Sequence, residues 1–135
     1  MRIFLDANIL YSAAVSDGAV RYLLESLHAG RHALCADDYV VVEARRNLLA
    51  KAEHAMDVFE QLLAGLEISS ARIENAPAPL ISWLPEKDRP VLQAAIRLRC
   101  DALVTGDVKH FRAGFGKSFG GVVIYSPRLL AEALL

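Results

Sequence analysis

Short apolar runs alternate along this chain with longer segments of helical periodicity. Four runs are short, apolar and bounded by turn or acidic residues, which is typical of buried strands; they span residues 2–6, 33–36, 101–106 and 122–125. Residues 68–73 alternate in polarity and form a possible further strand. Apolar residues at helical spacing and helix start signals predict helices over residues 19–28, about 37–49, 55–66 and 88–99, and from Pro127 onward.

Three stretches lack this periodicity. Residues 8–12 are predicted to form the turn that leaves the first strand. Residues 75–85 contain three prolines, which predicts a loop or a broken connection. Residues 111–121 contain four glycines and little periodicity, so a mobile loop is expected there.

The alternation of strands and helices predicts the fold class. It implies an α/β protein with three layers, in which helices cover both faces of a mostly parallel central sheet. A length of 135 residues fits one domain, residues 1–135. The hydrophobic fraction of 54% provides a core and argues against disorder.

Four acidic residues lie where such a fold places its ligands. Asp6 and Asp107 follow predicted strands, and Glu43 and Asp88 lie near the starts of two predicted helices. Ligands of open α/β sheets bind outside the carboxyl ends of the strands. Carboxylates gathered there would repel one another unless cations neutralised them. The pattern therefore predicts a site for Mg²⁺ or Mn²⁺, of the kind that cuts or transfers phosphate esters.

Each acid also has an ordinary structural interpretation. Asp6 could be a turn residue or a helix cap, and Asp88 could be an N-cap, which Pro90 favours. Glu43 lies beside an apolar run, where a salt bridge to Arg46 or a bond to Asn47 is the alternative to a metal. The four acids together, more than any one of them, favour the metal site.

Other polar residues are predicted to assist these acids. Asn8 lies two residues after Asp6 and could orient its carboxylate, and the Thr105 hydroxyl lies beside Asp107. The net charge of −1 gives no global attraction for nucleic acid, so binding requires local basic residues. Lys109 and Arg112, just after Asp107, are the best candidates for contacts with phosphate groups.

At this point the chain resembles the PIN-domain ribonucleases. The matching segments are residues 3–10, Glu43 with Asn47 and Leu48, residues 87–95, residues 101–107 and residues 124–130. The resemblance implies an acidic pocket formed by Asp6, Glu43, Asp88 and Asp107, with Asn8 and Thr105 assisting. It also implies a Mg²⁺- or Mn²⁺-dependent endoribonuclease that hydrolyses RNA. Small members of this family are often VapC-like toxins, which implies an antitoxin partner and a homodimer.

Composition predicts the compartment. Cys35 and Cys100 lack metal-binding or redox spacing, which favours two buried thiols in a reducing compartment. The N-terminal apolar run is too short for a signal peptide, and no segment approaches about 18 apolar residues. A cytoplasmic protein without a membrane partner is therefore expected. The four histidines show no paired helical spacing, which disfavours zinc.

Two other functions compete with the nuclease. A phosphatase of the haloacid-dehalogenase type would need an aspartate at position 8, where this chain has Asn8, and a receiver domain would need an acidic pair near position 6. The second rival is a catalytically silent PIN-like module that binds RNA or protein. The leucine-rich residues 129–135 could then form a dimer interface, although core packing is the ordinary explanation.

Overall fold

The computed structural model describes residues 1–72 and 76–135, and within them strands and helices alternate. The strands are β1 (Arg2–Leu5), β2 (Ala33–Asp37), β3 (Glu67–Ser69), β4 (Ala102–Val104), β5 (Ser118–Phe119) and β6 (Val122–Tyr125). The α-helices are α1 (Ala7–Val15), α2 (Ala19–Ala29), α3 (Asp38–Lys51), α4 (Met56–Ala64), α5 (Ala78–Ile81), α6 (Arg89–Arg97), α7 (Val108–Phe111) and α8 (Pro127–Leu134). Short 3₁₀ helices span Glu53–Ala55, Glu86–Asp88 and Arg112–Gly114.

The strands form one sheet in the order β3-β2-β1-β4-β6-β5. Every neighbouring pair is parallel except β5 and β6, which are antiparallel. The chain moves outward from β1 to β3 and then crosses back to β4. Because crossovers between parallel strands are right-handed, this reversal places helices on both faces of the sheet. The predicted α/β fold with a mostly parallel sheet is confirmed.

The reversal also defines where a ligand can bind. The strand order changes direction between β1 and β4, and ligands of open α/β sheets bind at the carboxyl ends of the strands at such a point. Leu5 lies opposite Val104 in the parallel register. Asp6 and Thr105, the next residues of the two chains, therefore start from the same edge of the sheet.

The core surrounds the two central strands. Ile3, Phe4 and Leu5 of β1 are fully buried, as are Leu103 and Val104 of β4. Strands buried on both faces read as continuous apolar runs, which is why these two were recognisable from sequence. Cys35 and Cys100 are free and buried, as expected.

The turn predicted at residues 8–12 is wrong, because these residues belong to α1. The Asp6 carboxylate accepts a hydrogen bond from the Ala7 amide and caps the helix. Ile9, Leu10 and Ala13 are buried at helical spacing on its inner face. Polar residues at both ends of the stretch hid this periodicity.

The mobile loop predicted at residues 111–121 is also wrong. It contains a 3₁₀ turn and β5, and Phe111 is fully buried. Gly120 and Gly121 both have positive φ, 58° and 85°, which lets the chain reverse tightly between β5 and β6. The glycines therefore build a hairpin. Phe119 secures it by stacking on Trp83, with ring centroids 4.8 Å apart.

The other predicted elements differ mainly at their ends. The proline-rich stretch contains the short helix α5, and Asn75 lies outside the described residues. The possible strand at residues 68–73 is observed as β3, Glu67–Ser69, while Ile73 lies outside the described residues. In the described part of the chain, no helix combines the length and the apolar character that crossing a bilayer requires.

Candidate metal centre

One cavity brings the four predicted acids together at the carboxyl ends of the central strands. It has a volume of about 220 Å³, and Asp6, Glu43, Asp88 and Asp107 all line it. Its remaining lining residues are Ala7, Asn8, Tyr11, Asn47, Lys51 and Lys87. Residues from three helical segments and from the ends of two strands thus meet at one place.

Asp6 is the most buried of the four acids, with 4% of its surface exposed. Its Oδ1 accepts from the Ala7 amide at 2.8 Å, and its Oδ2 accepts from the Thr105 hydroxyl at 2.8 Å and from Asn8 Nδ2 at 3.1 Å. Burial raises the pKa of Asp6 to about 6, although these hydrogen bonds oppose the shift. A negative charge at this position is therefore costly without a cation.

Asn8 and Thr105 join the ends of β1 and β4. The Asn8 side-chain oxygen Oδ1 accepts from the Gly106 amide at 2.7 Å, and Thr105 Oγ1 accepts from the Asp107 amide at 3.1 Å. A Cβ atom at Gly106 would lie only 3.2 Å from Asn8 Oδ1, so glycine permits this close approach. The two predicted assisting residues thus connect Asp6 to the segment that carries Asp107.

Asp88, Asp107 and His110 form a compact cluster beside Asp6. One ligand atom from each residue can be chosen so that all three lie within 4.8 Å of one another. His110 Nδ1 is 2.7 Å from Asp107 Oδ2 and 3.1 Å from Asp88 Oδ2. In the sequence, His110 was one of four histidines without paired helical spacing and was not predicted to join the site. Its position three residues after Asp107, on the helix that Asp107 caps, is the signal that could have identified it.

Asp88 occupies the N-cap position of α6, but its side chain makes no capping hydrogen bond. The helix-capping role that the sequence allowed for Asp88 is therefore not observed. Its Oδ2 is buried and has no hydrogen-bond partner among the described residues, because the nearby His110 nitrogen is directed to Asp107. Burial raises the pKa of this carboxyl. A buried acceptor without a donor suits a bound cation.

Glu43 lies on an exposed face of α3, and the salt bridge to Arg46 is not observed. Arg45 instead pairs with Glu60 at 2.8 Å. Asn47 and Lys51 follow Glu43 at intervals of four residues, so all three project into the cavity from one helix face. This spacing could have identified Lys51, which the sequence analysis missed. Tyr11 was missed because its helix was read as a turn.

Lys109 and Arg112 do not line the acidic cavity. They border a neighbouring cavity of about 480 Å³, together with Trp83, Pro85, His110 and Ala113. The cations that line the acidic cavity are Lys51 and Lys87. Since His110 lies between the two cavities, the predicted basic pair adjoins the acids without touching them.

The side chains present fit a divalent cation. Four carboxylates supply the oxygen ligands that Mg²⁺ and Mn²⁺ prefer, and an imidazole beside them is acceptable to Mn²⁺ and also to Zn²⁺. A bound cation would stabilise both the buried Asp6 carboxylate, whose pKa is raised, and the Asp88 oxygen that has no hydrogen bond.

The fold has known relatives. VapBC2 from Rickettsia felis, bound to a DNA fragment from its promoter, aligns with a TM-score of 0.65 and 19% identity, covering 93% of this chain and 98% of that one. VapBC-1 from nontypeable Haemophilus influenzae aligns with a TM-score of 0.61 and 14% identity, covering 95% and 99%. FitAB, bound to the IR36 DNA fragment, aligns with a TM-score of 0.59 and 19% identity, covering 93% and 94%.

The family is identified from the sequence. No curated protein shows significant similarity to the chain. Residues 2–109, however, match the PIN domain family, and this range contains Asp6, Glu43, Asp88 and Asp107. The chain therefore belongs to the PIN domain family.

Proposed function

We propose that this protein is a Mg²⁺- or Mn²⁺-dependent endoribonuclease that hydrolyses phosphodiester bonds in RNA. The observation that carries the proposal is the convergence of Asp6, Glu43, Asp88 and Asp107 in one cavity. Membership of the PIN family, whose resemblance implies this activity, supports it. The phosphatase and receiver alternatives belong to other families and are set aside.

The four carboxylates would hold the cations, and His110 is placed to join them. A bound divalent cation lowers the pKa of a coordinated water and neutralises charge on a phosphate group. Asn8 and Thr105 hold the Asp6 carboxylate in one orientation, and Thr105 also holds the backbone of Asp107. These contacts position ligands at the centre of the cavity before a substrate arrives.

Basic side chains would hold the RNA backbone. Lys51 and Lys87 are exposed and line the acidic cavity, where they offset part of its negative charge. Lys109 and Arg112 lie in the neighbouring cavity and suit phosphates farther along the strand. Binding through such contacts weakens as salt concentration rises.

The relatives indicate a partner. VapBC and FitAB are the assemblies whose PIN-like chains this fold resembles. We propose that this chain is the toxin of a toxin–antitoxin pair, that a cognate antitoxin protein binds it, and that it acts in the cytoplasm as a homodimer. The mass of the purified protein in solution would test the dimer. A short open reading frame beside the gene, whose product co-purifies with this chain and suppresses its activity, would support the antitoxin.

The activity is tested by incubating end-labelled RNA with the protein in Mg²⁺, Mn²⁺, Zn²⁺ or a chelator. Cleavage that requires Mg²⁺ or Mn²⁺ and is lost in Asp6→Asn supports the proposal. Asp37→Asn is a matched control, since Asp37 also ends a strand and caps a helix but lies outside the acidic cavity. Binding of RNA without cleavage under any of these ions would instead support the catalytically silent module.

A further inference from the structure

A second cavity lies beside the acidic one and shares Glu43 with it. Its volume is about 330 Å³, at the small end of the range for ligand pockets of roughly 300–1,000 Å³. The residues that line it are Asp38, Tyr39, Val42, Glu43, Arg46 and Ala71. We call it the Tyr39 cavity. Because Glu43 lines both cavities, a strand that reaches the acids can extend into this one.

The first turns of α3 build the Tyr39 cavity. Tyr39 and Glu43 are one turn apart, as are Val42 and Arg46, so the four side chains occupy one side of the helix. Val42 is 48% exposed and Tyr39 is 37% exposed. Two apolar surfaces thus face solvent on this side of the helix.

The Tyr39 ring is held in place from the acidic side. Its hydroxyl donates to the Lys87 carbonyl at 2.8 Å, and Lys87 itself lines the acidic cavity next to Asp88. This bond links α3 to the 3₁₀ turn that precedes α6. The ring is therefore a fixed surface at the border of the two cavities.

We propose that the Tyr39 cavity binds one nucleobase of the RNA strand, adjacent to the phosphodiester that the acids act on. This inference rests on the proposed function and names how its substrate is bound. Single-stranded RNA is recognised largely by stacking of unpaired bases on aromatic side chains, and such stacking tolerates any base. Tyr39 supplies the aromatic surface, and Val42 supplies further apolar contact.

The charges around the cavity favour a base over the backbone. Asp38 and Glu43 line it and would repel a phosphate, whereas an uncharged base can donate its amino or imino hydrogens to their carboxylates. Arg46 is exposed and one turn beyond Val42, where it can contact the phosphate that follows the base. A nucleotide thus matches both the apolar surface and the arrangement of charge.

The proposal is tested with a single-stranded oligoribonucleotide in which one abasic nucleotide is moved along the chain. Wild-type protein, Tyr39→Ala and Tyr39→Phe are compared, and Tyr22→Ala is the control, since Tyr22 is 67% exposed on α2 away from both cavities. Cleavage is measured in Mn²⁺, and equilibrium binding is measured in Ca²⁺ by fluorescence anisotropy. Thermal melting confirms that each variant is folded.

In the wild type, one abasic position should weaken binding and cleavage on the order of 10-fold, the usual scale for one stacked base. Tyr39→Ala should weaken binding of the intact strand similarly and should show no further loss at that abasic position. Tyr39→Phe loses the hydroxyl bond to Lys87 but keeps the stacking ring, so it should retain the wild-type sensitivity to that abasic position, as should Tyr22→Ala. A purely structural role of Tyr39 would not produce this loss of sensitivity at one abasic position.

Two other results would overturn the inference. If the wild type and Tyr39→Ala were equally sensitive to every abasic position, no base would bind in the Tyr39 cavity. If Tyr39→Ala bound RNA as the wild type does but had half the wild-type mass in solution, this surface would be an interface between two copies of the chain. If no oligonucleotide is cleaved by the wild type, the nuclease proposal fails, yet binding in Ca²⁺ still decides whether the Tyr39 cavity holds a base.

Discussion

Replacing Asp6 by asparagine should abolish cleavage and at the same time stabilise the metal-free protein at neutral pH. The buried carboxyl has a pKa of about 6, against an ordinary value of 3.8. The folded protein therefore holds this proton more tightly than the unfolded chain does. The resulting stabilisation is complete below about pH 3.8 and is lost as the pH rises through 6. A difference of about two pKa units corresponds to about 3 kcal/mol of unfolding free energy lost at pH 7.5.

Asparagine cannot ionise, so it avoids this loss, but it replaces one acceptor oxygen with a donor. The Asp6 carboxylate accepts from Ala7, Asn8 and Thr105, and at least one of these bonds must be lost or rearranged. Such a loss costs about 1–2 kcal/mol. The net gain is about 1–2 kcal/mol, which raises the melting temperature by about 4–8 °C in a domain of this size.

The assay is thermal unfolding in a chelator at pH 7.5 and pH 4.5, with cleavage of labelled RNA in Mn²⁺ measured in parallel. At pH 4.5 wild-type Asp6 is largely protonated in the folded state, so the advantage of Asp6→Asn should shrink by about 2 kcal/mol. Asp37→Asn should retain cleavage. A lower melting temperature for Asp6→Asn at pH 7.5 would show that Asp6 is a structural residue and would refute the reasoning.

Three further predictions follow from the same structure. Adding Mn²⁺ to chelator-treated protein should raise the melting temperature of the wild type but barely that of Asp6→Asn, because binding stabilises only a protein that holds the ion; equal shifts would place the ion elsewhere. Lys109→Glu should weaken RNA binding and make the negative slope of log affinity against log salt less steep by about 1 or more. An unchanged slope would exclude Lys109 from the phosphate contacts. Gly114→Ala should lower the unfolding free energy by about 1–3 kcal/mol in urea titrations, because the new methyl group would overlap the Trp83 ring. Gly65→Ala, whose methyl group meets only ordinary contacts, should be nearly neutral.

The elements that sequence reasoning missed share one feature. In α1 and in residues 111–121, local composition suggested a turn or a loop, while the deciding contacts come from distant residues. Phe119 is ordered by Trp83, more than 30 residues away along the chain, and the inner face of α1 is buried by α3 and α4. Composition within a short window carries no information about such partners.

The sequence alone was sufficient for the alternation of buried strands and helices, and hence for the mostly parallel sheet. It also placed Asp6 and Asp107 at strand ends, because an apolar run that stops at an acid is visible without a structure. Carboxyl ends of parallel strands share one edge, so convergence of these two acids was predictable. Their catalytic role, and that of Glu43 and Asp88, stays a prediction.

Only the tertiary structure decided which other side chains join them. It places His110 beside the acids and Lys51 and Lys87 in the acidic cavity. Lys109 and Arg112 lie instead in the neighbouring cavity. The direction in which a helical side chain points depends on how its helix is rotated and packed. That rotation is determined by contacts between elements far apart in the chain, so neighbours of the acids in sequence need not be their neighbours in space.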